Sequence, residues 1–171
     1  MIDLHIGGLE EAERWLAERS DWAAVLSLGD PGERKPAGLA DCLRSMRREF
    51  HDIDRALPWL RGLLLPSGED VAAILEFFGA LERGHVLVHC HSGVGRSAGA
   101  AFVGLCQAYG PGLEADAIAA VLAVRPQALP NRRIVTLADQ QLGRGGRMIA
   151  VVDAHLAAWK REGRARAAIH R

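Results

Sequence analysis

The apolar positions of the chain follow two periods that change with position. Ile2-Asp-Leu-His-Ile6 alternates as a half-buried strand does, and Gly7-Gly8 turns the chain into Leu9–Arg19, where Ala12, Trp15 and Leu16 recur at helical spacing among charges. Ala23 to Leu28 is an unbroken apolar run of strand length, ended by the loop residues Gly29-Asp-Pro-Gly32 through Lys35-Pro36. No element is predicted around Cys42; Met46 to Phe50 reads as a third strand. Ser67-x-x-Asp70 is a capping box, and Val71, Ile74, Leu75, Phe78 and Leu81 predict one face of a helix closing at Gly84. Val86 to Val88 is a further short buried strand. From Ser97, small residues lead into an apolar run to Tyr109 that Gly110-Pro111 stops.

The remaining chain is helical in pattern. Leu113 to Val124 is stopped by Arg125-Pro126, Asn131 caps a helix reaching about Leu142, and Gly145-Gly146 separates it from a last helix, Arg147 to about Arg166. That helix places Met148, Val152, His155, Leu156 and Trp159 near one face. Strands first and stacked helices afterwards predict one α/β domain over 1–171, with a central mixed sheet of about four to five strands flanked by helices.

Composition narrows the function classes. A chain of 171 residues suits one domain, and 21 basic against 21 acidic residues give no global field for nucleic acid or a membrane surface. No apolar run approaches a membrane span, and the N-terminus lacks the basic start and apolar core of a signal peptide. Cys42, Cys90 and Cys106 are odd in number and form no C-x-x-C pair, which argues against a disulfide framework and for a reducing compartment, the cytoplasm by default. Lysine occurs only at Lys35 and Lys160 amid abundant arginine, alanine and glycine, a hint of a GC-rich bacterial source.

The chemistry concentrates in Cys90-His91-Ser92-Gly93-Val94-Gly95-Arg96, which joins a predicted strand to a predicted helix. In that position the loop amides, relieved of bulk by Gly93 and Gly95, converge with the positive end of the helix dipole into an anion cradle. Arg96 adds a planar fork that takes two oxygens of a phosphoryl group at once. Cys90 at the base is expected to ionise well below the free thiol value of roughly 8.5 and to attack a phosphoryl group in line.

His89-Cys90-x5-Arg96-Ser97, with an apolar strand ahead and a helix behind, resembles the signature of the cysteine-dependent protein tyrosine phosphatase superfamily, in its compact dual-specificity-like branch. The Ile-x-x-Gly-Gly-Leu opening, the Val-Leu-x-Leu strand and Pro130-Asn131 are similar to that branch as well, so the resemblance covers about 1–142. It implies hydrolysis of phosphate monoesters, phosphotyrosine in proteins foremost, through a cysteinyl-phosphate intermediate and without metal or other cofactor. It further implies that Ser97 stabilises the departing thiolate, that His89 bonds near the Cys90 backbone, and that Asn131 steadies the loop. The general acid is expected on a strand-end loop upstream, where Phe50-His51-Asp52-Ile53-Asp54 offers Asp52, favoured, or Asp54. The Trp-Pro-Asp motif of the tyrosine-specific enzymes is absent, since Pro58-Trp59 runs in the reverse order.

Alternatives remain open at this point. A phosphoinositide phosphatase is disfavoured by the lack of lysine within the loop, and a pseudophosphatase scaffold by the presence of both Cys90 and Arg96. His85, His89 and His91 lie close in sequence, but no second cluster offers further metal ligands, so hydrogen bonding is the expected role. Cys106 reads as core, Cys42 as a conceivable disulfide partner of Cys90, and the basic tail Lys160, Arg161, Arg164, Arg166 and Arg171 as a solvated face. Oligomeric state is not legible.

Overall fold

The computed structural model describes residues 2–55, 59 and 61–169. Pro58 and Arg171 lie outside the described residues, as do the side chains of Arg164 and Arg166. The elements run β1 (Ile2–Gly7), α1 (Leu9–Glu18), β2 (Trp22–Gly29), a single 3-10 turn (Leu39–Asp41), β3 (Ser45–Glu49), α2 (Gly68–Gly79), β4 (Gly84–His89), α3 (Arg96–Tyr109), α4 (Glu114–Val124), α5 (Arg132–Gln141) and α6 (Arg147–Ile169).

The four strands form one sheet in the order β1-β4-β2-β3, with every pairing parallel. The expected mixed sheet is thus corrected to a parallel one among the described residues. Its cause is connectivity: β1 reaches β2 through α1, β3 reaches β4 through α2, and no tight hairpin turn reverses a strand beside its neighbour. β4 lies inside the sheet, covered on both faces, which is why Val86, Leu87 and Val88 read as an unbroken apolar run.

Two cores sandwich the sheet. On one side Leu26, Leu28, Val86 and Val88 meet α2, α3 and α5 in a large cluster that includes Phe50, Ile74, Phe102 and Ile134. On the other, Val25 and Leu87 meet Ala12 of α1, with Trp22 and Leu39. Cys106 belongs to the first core, where burial pushes its thiol up to about 12. Cys42 packs against the second cluster and Cys90 belongs to the first; all three cysteines are free.

α2 ends earlier than its apolar spacing suggested. Its last turn is closed by the Ala80 amide on the Glu76 carbonyl, and Gly84 is the first residue of β4 instead of a helix stop. Gly84 has φ +107°, and a Cβ there would lie 2.8 Å from that of Ala23, so only glycine lets the chain enter the sheet beside β2. No helix among the described residues is long and apolar enough to cross a membrane.

Candidate active site

β4 delivers Cys90 to the C-terminal edge of the parallel sheet, where α3 begins at Arg96. The loop between them is fixed by its carbonyls, each of which has a donor. The Cys90 carbonyl faces His89 Nδ1 (3.3 Å), that of His91 accepts from the Leu9 amide (3.0 Å), and that of Val94 from the Leu129 amide (3.0 Å). Gly95 accepts from the amides of Gly99 (2.9 Å) and Asn131 (3.1 Å). Arg125 supplies the last two, Nη2 to the Ser92 carbonyl at 3.0 Å and Nε to that of Gly93 at 3.1 Å.

Since N–H and C=O point to opposite sides of a trans peptide plane, six carbonyls engaged by surrounding groups turn the amides that follow them toward the loop's concave side. One such amide, that of Gly93, donates to Cys90 Sγ at 3.2 Å. Gly93 has φ +72°, and a Cβ there would stand 2.5 Å from the Gly7 carbonyl carbon, so the loop could not close with any other residue.

Cys90 is 1% exposed, and Ser97 Oγ lies 3.2 Å from its sulfur. Its amide donates to Gly7, which ties the sulfur's backbone to the end of β1. His89 is fully buried, and desolvation lowers its pKa to about 4, so the ring is neutral at pH 7 and can donate its Nδ1 hydrogen to the Cys90 carbonyl. Among the described residues its Nε2 has no partner.

Arg96 is 3% exposed, and its guanidinium is held at one nitrogen: Nη1 donates to the Phe50 carbonyl (2.6 Å) and to Asp30 Oδ1 (2.7 Å). Its Nε is buried and has no partner among the described residues, the situation that a bound oxyanion would relieve.

The two candidate acids are placed differently. Asp52 turns toward the loop: its carboxylate occupies the space that a Cβ on Gly95 would need, and its Oδ1 accepts from Asn131 Nδ2 at 2.7 Å. Asp54 instead accepts from the Arg132 amide at 2.9 Å, at the start of α5. Asn131 Oδ1 caps the same helix through the amides of Arg133 and Ile134, each at 3.1 Å.

Two concavities flank the loop. The larger, about 660 Å³, is lined by Glu10, Glu11, Arg34, His91 and Arg125. The smaller, about 390 Å³, is lined by both Asp52 and Asp54, with Val94, Gly95 and Asn131, beside an apolar wall of Leu129, Pro130 and Leu156 and with Lys160 at its edge. Carboxylates line both, but of the two candidate acids Asp52 is the one set directly against the loop, at Gly95. His91 faces away from that side and pairs with Glu33 at 2.5 Å. Burial works to raise the Glu33 carboxyl, yet the His91 bond and the Asp30 amide hold it below its ordinary value.

Sequence reasoning missed the groups that hold the loop from outside. Asp30, read as part of a turn, grips Arg96. Arg125, read as a helix stop, spans two loop carbonyls and is itself anchored by Glu11 at 2.8 Å. The Arg125 bond is the main reason the Glu11 carboxyl lies below its ordinary value. These partners are 66 and 114 residues apart, a separation no local pattern encodes.

No family model and no curated protein matches the sequence. Solved structures match in fold. Human DUSP28 is 21% identical, with 82% of this chain and 91% of its own covered at a TM-score of 0.55. DUSP15 is 18% identical, covering 88% and 90% at 0.59. PTPMT1, in complex with PI(5)P, is 15% identical, covering 91% and 94% at 0.56. The chain therefore shares the fold of the dual-specificity-like phosphatases.

Proposed function

We propose that the protein hydrolyses phosphate monoesters, phosphotyrosine in proteins foremost, through a phosphocysteine formed on Cys90. The observation that carries this reading is the loop whose six carbonyls are bonded from outside while the Gly93 amide meets the Cys90 sulfur. Such a concave ring of amides suits three phosphoryl oxygens above one sulfur.

In the first step the Cys90 thiolate forms a bond to phosphorus as the phosphorus–oxygen ester bond breaks, and Asp52 gives its proton to the departing oxygen. Arg96 and the loop amides hold the transferring group, whose charge spreads over its equatorial oxygens. In the second step water attacks phosphorus, Asp52 takes the water's proton, and the sulfur leaves as thiolate while Ser97 donates a hydrogen bond to it. The products are the alcohol or phenol and inorganic phosphate.

The apolar wall of Leu129, Pro130 and Leu156 supports an aromatic ester, whose ring would cover it and shield it from water. Three free thiols suit a reducing compartment such as the cytoplasm. The test is kcat/KM of the purified chain on matched phosphotyrosine and phosphothreonine peptides and on phosphoinositides. The expected order puts phosphotyrosine first. A phosphoinositide in first place would move the substrate class, and phosphate binding without turnover on any ester would make the protein a scaffold.

A further inference from the structure

The far ends of β1 and β4, away from the catalytic loop, bring together three side chains that the phosphatase reading does not use. In the parallel register Asp3 stands directly opposite His85, and His5, two residues along β1, shares the face of Asp3. Trp22 of β2 stands opposite His85 on its other side. The register therefore points one carboxylate and two imidazoles at the same spot.

Their atoms converge closely. His85 Nδ1 lies 2.7 Å from Asp3 Oδ2 and 3.3 Å from His5 Nε2, and His5 Nε2 lies 3.6 Å from Asp3 Oδ2. Ligands bound to zinc at about 2.0–2.1 Å in a tetrahedron are separated by about 3.3–3.4 Å, so the three edges bracket that figure. Hydrogen bonding alone serves the triangle poorly. A hydrogen on His85 Nδ1 satisfies Asp3 at the short edge and leaves His5 Nε2 with only the 3.6 Å approach to the carboxylate.

The surroundings are those of a held site. Trp22 and Trp15 meet the His5 ring edge-on, with centroids 5.0 and 6.1 Å away, which restricts its rotation. The second nitrogen of His85 has Asp21 Oδ2 3.8 Å away, beyond hydrogen-bond reach, so that carboxylate acts on the ring only through its charge. Arg19, the nearby cation, is engaged by both oxygens of Asp21 at 2.7 and 2.8 Å, which offsets its charge. Side-chain exposures of 61% for Asp3, 28% for His5 and 31% for His85 leave a path for an ion to enter.

We propose that Asp3 Oδ2, His5 Nε2 and His85 Nδ1 are three ligands of a zinc-class divalent cation, water completing the shell. Bound there, the ion clamps β1 to β4, the two strands whose other ends carry Gly7 and Cys90. Histidine spacing around His85, His89 and His91 could not reveal this, because the partners come from a strand some 80 residues away.

The experiment is zinc titration of the chelator-stripped full chain by calorimetry and thermal melting, with cobalt(II) as a spectroscopic stand-in. One ion per chain should bind, cobalt should give the intense bands of a four-coordinate site, and the melting temperature should rise about 5–10 °C at a hundredfold excess over Kd. Cys90→Ser should leave this binding unchanged, which separates it from zinc capture by the loop sulfur. Asp3→Asn and His5→Gln should each weaken it at least about tenfold. Asp3 is exposed enough that its variant will fold and decide the matter if His5→Gln does not. Absence of saturable binding, its loss in Cys90→Ser, or unchanged affinity in Asp3→Asn would overturn the proposal.

Discussion

Asn131 joins two functions through one amide group: its Nδ2 donates to Asp52 Oδ1 at 2.7 Å while its Oδ1 caps α5 through two backbone amides. The helix start and the aim of the candidate acid are thus set by the same side chain. Asn131→Ala removes both and should cost about 1 kcal/mol of stability, the usual worth of a cap, together with kcat. Asn131→Asp separates them. Aspartate caps as well as asparagine, so Tm should fall only by what the repulsion between its carboxylate and Asp52 costs, while kcat should fall much further. Thermal melts paired with initial rates check this, and equal losses of both quantities in Asn131→Asp would contradict the division.

The same geometry distinguishes the two carboxylates. Both line the smaller concavity, but Asp52 lies against Gly95 of the loop and is held by Asn131, while Asp54 is taken up by the Arg132 amide at the α5 terminus. With a poor leaving group, Asp52→Asn should lower kcat by about 10²–10⁴-fold and flatten the basic limb of the pH–rate profile, because that limb reports loss of the acid's proton. Asp54→Asn should keep the limb and lose only some helix stability. A flattened limb in Asp54→Asn would transfer the role.

Arg125 holds the Ser92 and Gly93 carbonyls with two nitrogens of one planar group. Removing it leaves both without their donor and lets the amides that follow them turn. Arg125→Ala should raise KM for phosphate esters and weaken inorganic phosphate as an inhibitor by about tenfold or more, and Arg125→Lys should not restore either, since a point charge cannot span two carbonyls. Rescue by lysine would show that charge alone matters.

His89 predicts a pH effect on stability. Its folded pKa of about 4 lies below the ordinary 6.5 because burial disfavours the charged ring. The unfolded chain therefore binds more protons between those values, and stability that is complete above pH 6.5 is lost as pH falls toward 4, by up to about 3 kcal/mol. Denaturant melts of wild type and His89→Gln across that range should diverge, with the variant showing the smaller slope. Parallel curves would remove His89 as the source.

How much was legible follows from how local each signal is. The strand Val86–Val88, the capping box at Ser67 and the Asn131 cap are written in neighbouring residues, and α2, β4 and α5 lie where those patterns put them. The α2 end was misread because Leu81 continues the apolar spacing while the chain has already turned. Strand direction was written in the unbroken apolar runs of β2 and β4 and in the helices between strands, but the alternation of β1 pointed the other way, toward a mixed sheet. In the loop, Cys90, Gly93 and Arg96 were visible through their spacing. Asp30, Glu11 and Arg125, which brace that loop, were not, because ion pairs between distant segments leave no period in the sequence.

The central claim is that Cys90 carries the phosphoryl group between two steps. Rapid acid quench of the enzyme during turnover of an aryl phosphate, followed by mass spectrometry of its peptides, tests it directly. The account predicts one phosphoryl group on the peptide containing Cys90 in wild type, more of it in Ser97→Ala, where a burst of phenol should precede slow turnover, and none in Cys90→Ser, which should be inactive yet still bind phosphate. Continued turnover by Cys90→Ser, or wild-type turnover with Cys90 unmodified and the group found elsewhere, would contradict it.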